Sequence, residues 1–198
     1  MGRNFSLQCT LSILLFPLLA AAEKPVTVEE LQKALVKYQA IERLDVDFKQ
    51  TKTLKDIGLD LKSEGHLTLK MPNEVEWKVT KPQPLTVTLA GQSITIQSPS
   101  NKQTFSQAEN PSAKDRQSFQ TMLTWLKLDA GAISDKYKVT ELGPREYRFV
   151  AKDPKDPVVK ALEMKMDDAG HVANLLFEEV SGDSMRLNFA KPKVVYRK

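Results

Sequence analysis

From Gly65 to Trp77 the chain reads GHLTLKMPNEVEW, two alternating runs that meet at a Pro-Asn corner. Leu67, Leu69 and Met71 fall on one face of an extended strand and Thr68 and Lys70 on the other, because strand side chains alternate with period two. Pro72 cannot donate a ladder hydrogen bond and Asn73 tolerates turn geometry, so the pattern predicts a reversal there. Val75, Trp77 and Val79 then resume the alternation against Glu74, Glu76 and Lys78, which makes a hairpin with one strongly apolar face.

The same periods organise the rest of the chain. Thr27 with Glu30 forms a capping-box pattern, and Val28, Leu31, Leu35, Tyr38 and Ile41 recur at helical spacing, which predicts an amphipathic helix over 28–43. At Leu44 the period changes: Leu44, Val46 and Phe48 alternate with Asp45, Asp47 and Lys49, so a strand follows almost directly. Gly58 marks a turn, and strands are predicted over 59–71, 74–80, 85–90 and 93–98, the last two joined at Ala90-Gly91-Gln92. Residues 99–118, rich in Ser, Asn, Gln, Lys and Pro, read as a loop or lid. Ser112 with Asp115 caps a second predicted helix that carries Phe119, Met122, Leu123 and Leu126, with Trp125 and Leu128 on its flank and a stop at Gly131. The tail returns to strands over 136–142, 145–151, 160–167, 171–180 and 184–190, with turns at Asp168-Ala169-Gly170 and Ser181-Gly182-Asp183.

The first five strands in succession imply an antiparallel meander, and the inventory of about ten strands and two helices predicts an α+β fold built on a single antiparallel sheet. So large a sheet must curl, because twist accumulates from strand to strand and open edges are a liability. The helices then cover its concave apolar face, either filling a core or leaving a cavity. There is no internal repeat and no second-domain boundary.

The first residues bear on compartment. Arg3, the apolar run Phe5 to Leu19 and the small residues Ala20-Ala21-Ala22 describe a secretory signal peptide over 1–22, leaving a single domain over 23–198. Nothing later approaches the roughly 18 apolar residues of a membrane span. The single cysteine, Cys9, lies inside the predicted signal, so the exported domain relies on its core alone. Past residue 22 there remain 28 basic against 25 acidic residues, with lysines scattered on alternate strand positions as a solvated outer face. No basic run with interleaved aromatics points to nucleic acid.

Phe48-Lys49-Gln50, Ser63 with Gly65-His66-Leu67-Thr68-Leu69, Pro72-Asn73 with Trp77, Asp167 to Val172, and Phe189-Ala190-Lys191-Pro192-Lys193 occur in the order and spacing of the periplasmic outer-membrane lipoprotein carrier family, LolA, which this chain resembles from about residue 27 to 194. The resemblance implies an unclosed half β-barrel wrapped over two or three helices. It implies a monomeric periplasmic carrier that holds the acyl chains of a lipoprotein or lipid between an inner-membrane donor and an outer-membrane acceptor protein. Two positions depart from the pattern. Carriers of that family place a basic residue before the Pro-Asn pair, where this chain has Met71, and an acidic-Gly pair with aromatics after the central hairpin, where it has Ala90-Gly91 followed by Ile94 and Ile96. Without that basic residue the closed state cannot be locked in that way.

Shielding an acyl chain has a physical rationale of its own. Each buried methylene is worth about 0.8 kcal/mol, so a long chain in water costs on the order of 10 kcal/mol, and an apolar cavity removes that cost. The candidates to line it are Phe48, Leu67, Leu69, Met71, Val75, Trp77, Val87, Leu89 and Ile96 from the sheet, Met122, Leu123, Trp125 and Leu126 from the second helix, and Met164 and Met166 from a late strand. No catalytic residue, cofactor or metal is expected. His66 and His171 each follow a glycine at a strand start, no nucleophile elbow or Gly-rich phosphate loop is present, and Asp45-Val46-Asp47 offers two carboxylates without further ligands. The competing reading is an exported sensor or assembly factor that binds a lipoprotein or outer-membrane client on the same half-barrel without transporting it.

Overall fold

The computed structural model describes residues 23–91, 93–106, 125, 128–154 and 159–197. The predicted signal peptide and most of the predicted second helix lie outside them. The elements are β1 (Lys24–Pro25), α1 (Val28–Gln39), β2 (Ile41–Leu54), β3 (Leu59–Lys70), β4 (Glu74–Lys81), β5 (Leu85–Ala90), β6 (Ser93–Ser98) and β7 (Asn101–Ser106), followed by α2 (Ala130–Lys136), β8 (Tyr137–Gly143), β9 (Glu146–Ala151), β10 (Ala161–Met166), β11 (Val172–Glu178) and β12 (Ser184–Tyr196).

All the strands join one twelve-stranded antiparallel sheet in the order β1-β8-β9-β10-β11-β12-β2-β3-β4-β5-β6-β7. It consists of two meanders, β2 to β7 and β8 to β12, stitched together where the last strand pairs with the second. These two strands are the longest, 14 and 13 residues, and form the centre of the sheet. β1 and β7 are the two edges, so among the described residues the sheet stays open, the expected half-barrel.

The capping box at Thr27 forms as read: its hydroxyl accepts from the Glu30 backbone N–H at 3.2 Å while the Glu30 carboxylate accepts from the Thr27 N–H at 3.0 Å. The helix nevertheless ends at Gln39, short of 43, and Ile41 opens β2 instead. In the ladder with β12, Arg43 pairs with Val195 and Ile41 with Tyr196, so Glu42 is an extra, bulged residue. The bulge turns Ile41 and Leu44 to the same buried side, and three-residue spacing within a strand imitates a helix in the sequence.

Two further strand ends differ from expectation. β7 occupies 101–106, where a loop was read, because its mostly polar residues conceal an edge strand; its Thr104 hydroxyl lies 3.0 Å from that of Thr95. β12 continues past 190 to Tyr196 through a second bulge, at which Lys191 and Pro192 stand between the pairs Ala190↔Asp47 and Lys193↔Asp45. Pro192 has no N–H to contribute to a ladder and is accommodated at the bulge. Gly131, read as a helix stop, lies inside α2, whose cap is Asp129, accepting from Ala132 N–H at 3.0 Å.

Leu31, Leu35 and Tyr38 of α1, Ile133 of α2 and the inward residues of both meanders, among them Leu89, Phe149, Leu162 and Met164, form one continuous core. On the opposite, solvent-facing side of β2, Arg43 donates to Asp45 from Nε at 2.6 Å and from Nη2 at 2.9 Å, and Thr68 donates to it from β3 at 2.8 Å. The Arg43 hydrogen bonds dominate and hold the Asp45 carboxyl down to about 2 from its ordinary 3.8. A depressed folded-state pKa contributes stability that is complete above the unfolded value and is lost as pH falls through the folded one. Discounted for solvent screening, the contribution is roughly 1 kcal/mol. Asp45→Asn is therefore expected to lower the urea midpoint at pH 6, with the gap to wild type closing between about pH 4 and pH 2. A gap that stayed constant across that window would show that Asp45 does not act through its charge.

Candidate functional site

Between α1 and the sheet lies a cavity of about 430 Å³, within the size range of small-molecule sites. Its deep walls come from both meanders: Leu44, Val46, Leu67, Val75 and Leu89 on one side, Leu162 and Leu187 on the other, all buried. Tyr38 of α1, Trp125 and Leu128 close it opposite the sheet. Gln39 of α1 donates to the Leu128 carbonyl at 3.2 Å and so ties this closure to the helix. Around the rim stand half-buried residues, Trp77, Val87, Phe177, Met185 and Phe189.

Two aromatic arrangements set the shape. Trp77 stacks on Phe48 with ring centroids 4.0 Å apart and planes at 26°. The Phe48 ring reaches that position by crossing Gly65 on the neighbouring strand, where a Cβ would stand 2.8 Å from its Cζ. Trp125 sits 5.0 Å from both Tyr137 and Phe149, edge-on to the latter. Such pairs add about 0.5–1.5 kcal/mol to burial and restrict ring rotation.

The sequence-predicted residues separate into distinct places. Leu67, Val75, Trp77, Val87, Leu89 and Trp125 line the cavity. Phe48, Leu69, Met164 and Met166 do not; they are buried in the packed core behind the wall. Met71 lies in the turn after β3, beside a polar surface cleft with Glu42, Arg43, Lys70 and Glu74. Ile96, in register with Val87 on β6, is 38% exposed and extends the apolar face beyond the cavity. Met122, Leu123 and Leu126 lie outside the described residues.

Much of the lining carries no local signal in the sequence. The alternation Met185, Leu187, Phe189 on β12 and Leu175, Phe177 on β11 was legible as strand, but nothing local placed it opposite β3 and β4. Three polar residues also line the cavity: Gln50, Glu179 and His171. His171, which follows Gly170 immediately before β11, is held from both sides, its backbone N–H donating to Asp167 at 2.8 Å, Nδ1 3.3 Å from the same carboxylate and Nε2 2.8 Å from the Tyr196 hydroxyl. Burial works to raise the Asp167 carboxyl, but the hydrogen bonds from His171 outweigh it and hold the group below the usual carboxylate range. His66 lies on the other face of the sheet, with Nδ1 3.0 Å from Asp47. Among the described residues no group of three or more His, Cys, Asp or Glu is placed to hold a metal ion, and no helix is long and apolar enough to cross a membrane.

The geometry is that of a container. Among the described residues, an apolar interior with buried walls, a half-buried rim and few polar groups is a space that can take up hydrocarbon.

The model of the family described as outer membrane lipoprotein carrier protein LolA matches residues 39–197 of the chain. Among solved structures, the chain is similar to a LolA superfamily protein from Nitrosomonas europaea at 11% identity, covering 85% of this chain and 94% of that one with a TM-score of 0.41. It is similar to the lipoprotein LppX of Mycobacterium tuberculosis at 11% identity, 83% and 93% coverage and a TM-score of 0.46. It is also similar to the MucA/MucB complex of Pseudomonas aeruginosa, at 11% identity, 86% and 58% coverage and a TM-score of 0.49. No curated protein matches the chain.

Proposed function

Because the chain belongs to the LolA family of outer membrane lipoprotein carrier proteins, we propose that it is a periplasmic carrier that shields acyl chains in the cavity between α1 and the half-barrel while they pass from an inner-membrane donor to an outer-membrane acceptor. The observation that supports this most is the cavity itself, about 430 Å³ with walls that are almost wholly apolar. An acyl chain leaving a bilayer for such a space gives up little free energy, because both environments exclude water from it. Net affinity is then a small difference between large terms, so that a modest change in wall shape decides between loading and release, and no chemical step is needed. Met71 in place of the family's basic residue removes one means of holding the empty state shut, and leaves loading to the packing of the walls.

Protein purified from its host is expected to carry lipid: organic extraction followed by mass spectrometry should recover acyl species, and a fluorescent fatty-acid analogue should bind saturably. Recovery of no acyl species together with no saturable binding would exclude the carrier and leave a protein-binding sensor or assembly factor as the reading to pursue.

A further inference from the structure

We propose that the mouth of the cavity recognises a zwitterionic glycerophospholipid headgroup, with Lys52 taking the phosphate and Glu179 the ammonium. The inference rests on the carrier reading and narrows its cargo.

Two of the three polar lining residues stand together at one end of the cavity. Gln50 pairs in register with Leu187, and Lys52 with Met185, on the strand that carries the cavity wall. Glu179 follows β11 directly, its backbone N–H donating to the Asp183 carbonyl at 2.9 Å, and its carboxylate meets the Lys52 ammonium at 3.1 Å. This pair is neither buried nor free, with side-chain exposures of 33% and 31%. Beyond it on the same end lie exposed apolar residues, Leu59, Leu61 and Val180. The neighbouring carboxylate, Asp183, is taken up by the Lys55 backbone N–H at 3.0 Å. One cation, one anion and one neutral amide therefore stand where an apolar interior meets water, which is where the polar end of an amphiphile with its chains inside must sit.

The charge balance selects among headgroups. A half-desolvated charge is costly unless it is paired. A neutral head leaves the Lys52–Glu179 pair as it is and gains nothing from it. An anionic head draws Lys52 away and leaves Glu179 uncompensated beside an apolar wall. A head bearing both charges exchanges one ion pair for two and leaves neither residue unpaired, while the Gln50 amide is free to donate to an ester carbonyl.

The test uses the exported protein with phosphatidylethanolamine, phosphatidylglycerol and diacylglycerol of identical acyl chains, each offered in vesicles, with bound lipid quantified after gel filtration. Wild type should retain phosphatidylethanolamine about tenfold over phosphatidylglycerol, the size expected for one charge-assisted contact. Glu179→Gln should erase that preference by admitting phosphatidylglycerol, and Lys52→Met should reduce both phospholipids toward the level of diacylglycerol, with circular dichroism unchanged in each. Equal retention of all three lipids by wild type, or a preference unaffected by either substitution, overturns headgroup recognition while leaving the carrier intact. Failure to retain any of the three, diacylglycerol included, overturns the carrier reading and the proposal with it.

Discussion

Alanine at Gly65 is expected to lower the melting temperature by about 6–12 °C, the shift that corresponds to roughly 3 kcal/mol in a domain of this size. A Cβ built there would stand 1.9 Å from the Lys78 carbonyl oxygen and 2.8 Å from its carbon, both backbone atoms of β4 paired to β3. It would also stand 2.8 Å from Phe48 Cζ, and Phe48 is 2% exposed and stacked on Trp77, with no room to retreat. Relief requires parting β3 from β4 or expelling the ring, and either moves Trp77, the rim of the cavity. The companion variant is Gly131→Ala. There a Cβ meets nothing nearer than the Asp129 carboxylate at 3.4 Å, and helix propensity favours alanine by about 0.5–1 kcal/mol. Thermal unfolding of the two side by side isolates the close approach; a Gly65→Ala melting point within about 2 °C of wild type would mean that the strands part without cost.

The second large effect separates wall from core on a single hairpin. Trp77→Asp should weaken binding of a fluorescent fatty-acid analogue by a hundredfold or more, on the order of 3 kcal/mol, while the far-ultraviolet circular dichroism stays native. The side chain is half-buried at the rim, so an aspartate there keeps contact with water while placing a charge where hydrocarbon must pass. Leu69→Glu should behave differently, although both residues belong to the same apolar face of the sequence pattern. Leu69 is 2% exposed and lines no part of the cavity, so a glutamate at that position is an uncompensated buried charge and should unfold the protein. Native dichroism with lost binding in Leu69→Glu would show that the core opens further than its packing implies. Unfolding of Trp77→Asp would assign that residue to the core.

These two residues illustrate how much of the site could be read in advance. Alternation assigns Leu67, Leu69, Val75 and Trp77 to one face, because strand side chains have no other choice. Depth below that face depends on what lies above it. Leu69 and Phe48 are covered by packed side chains, whereas Leu67 and Val75 look into the gap beneath α1. Met164 and Met166 satisfied the same alternation, yet both are buried without reaching the cavity. Glu179 and His171 were hidden for another reason. Each lies just outside a strand, next to a turn, where a polar residue is unremarkable until the turn is seen to border a cavity.

Period and turn chemistry are local properties, and the features that depend on them are legible along the chain: the capped first helix, the hairpins at Pro72-Asn73, Ala90-Gly91 and Gly182, and the antiparallel meander that had to curl. The misreadings were local as well, a bulge at Glu42 that imitates helical spacing and an edge strand too polar to announce itself. The pairing of β12 with β2, which sets Phe189 opposite Phe48, was decided only in three dimensions. That seam joins the two meanders, brings Leu187 and Met185 beside Gln50 and Lys52, and so creates both the cavity and its charged mouth. No local pattern records it, because the free energy that selects one partner strand over another comes from burying two distant apolar faces together, and that gain exists only once both are in place.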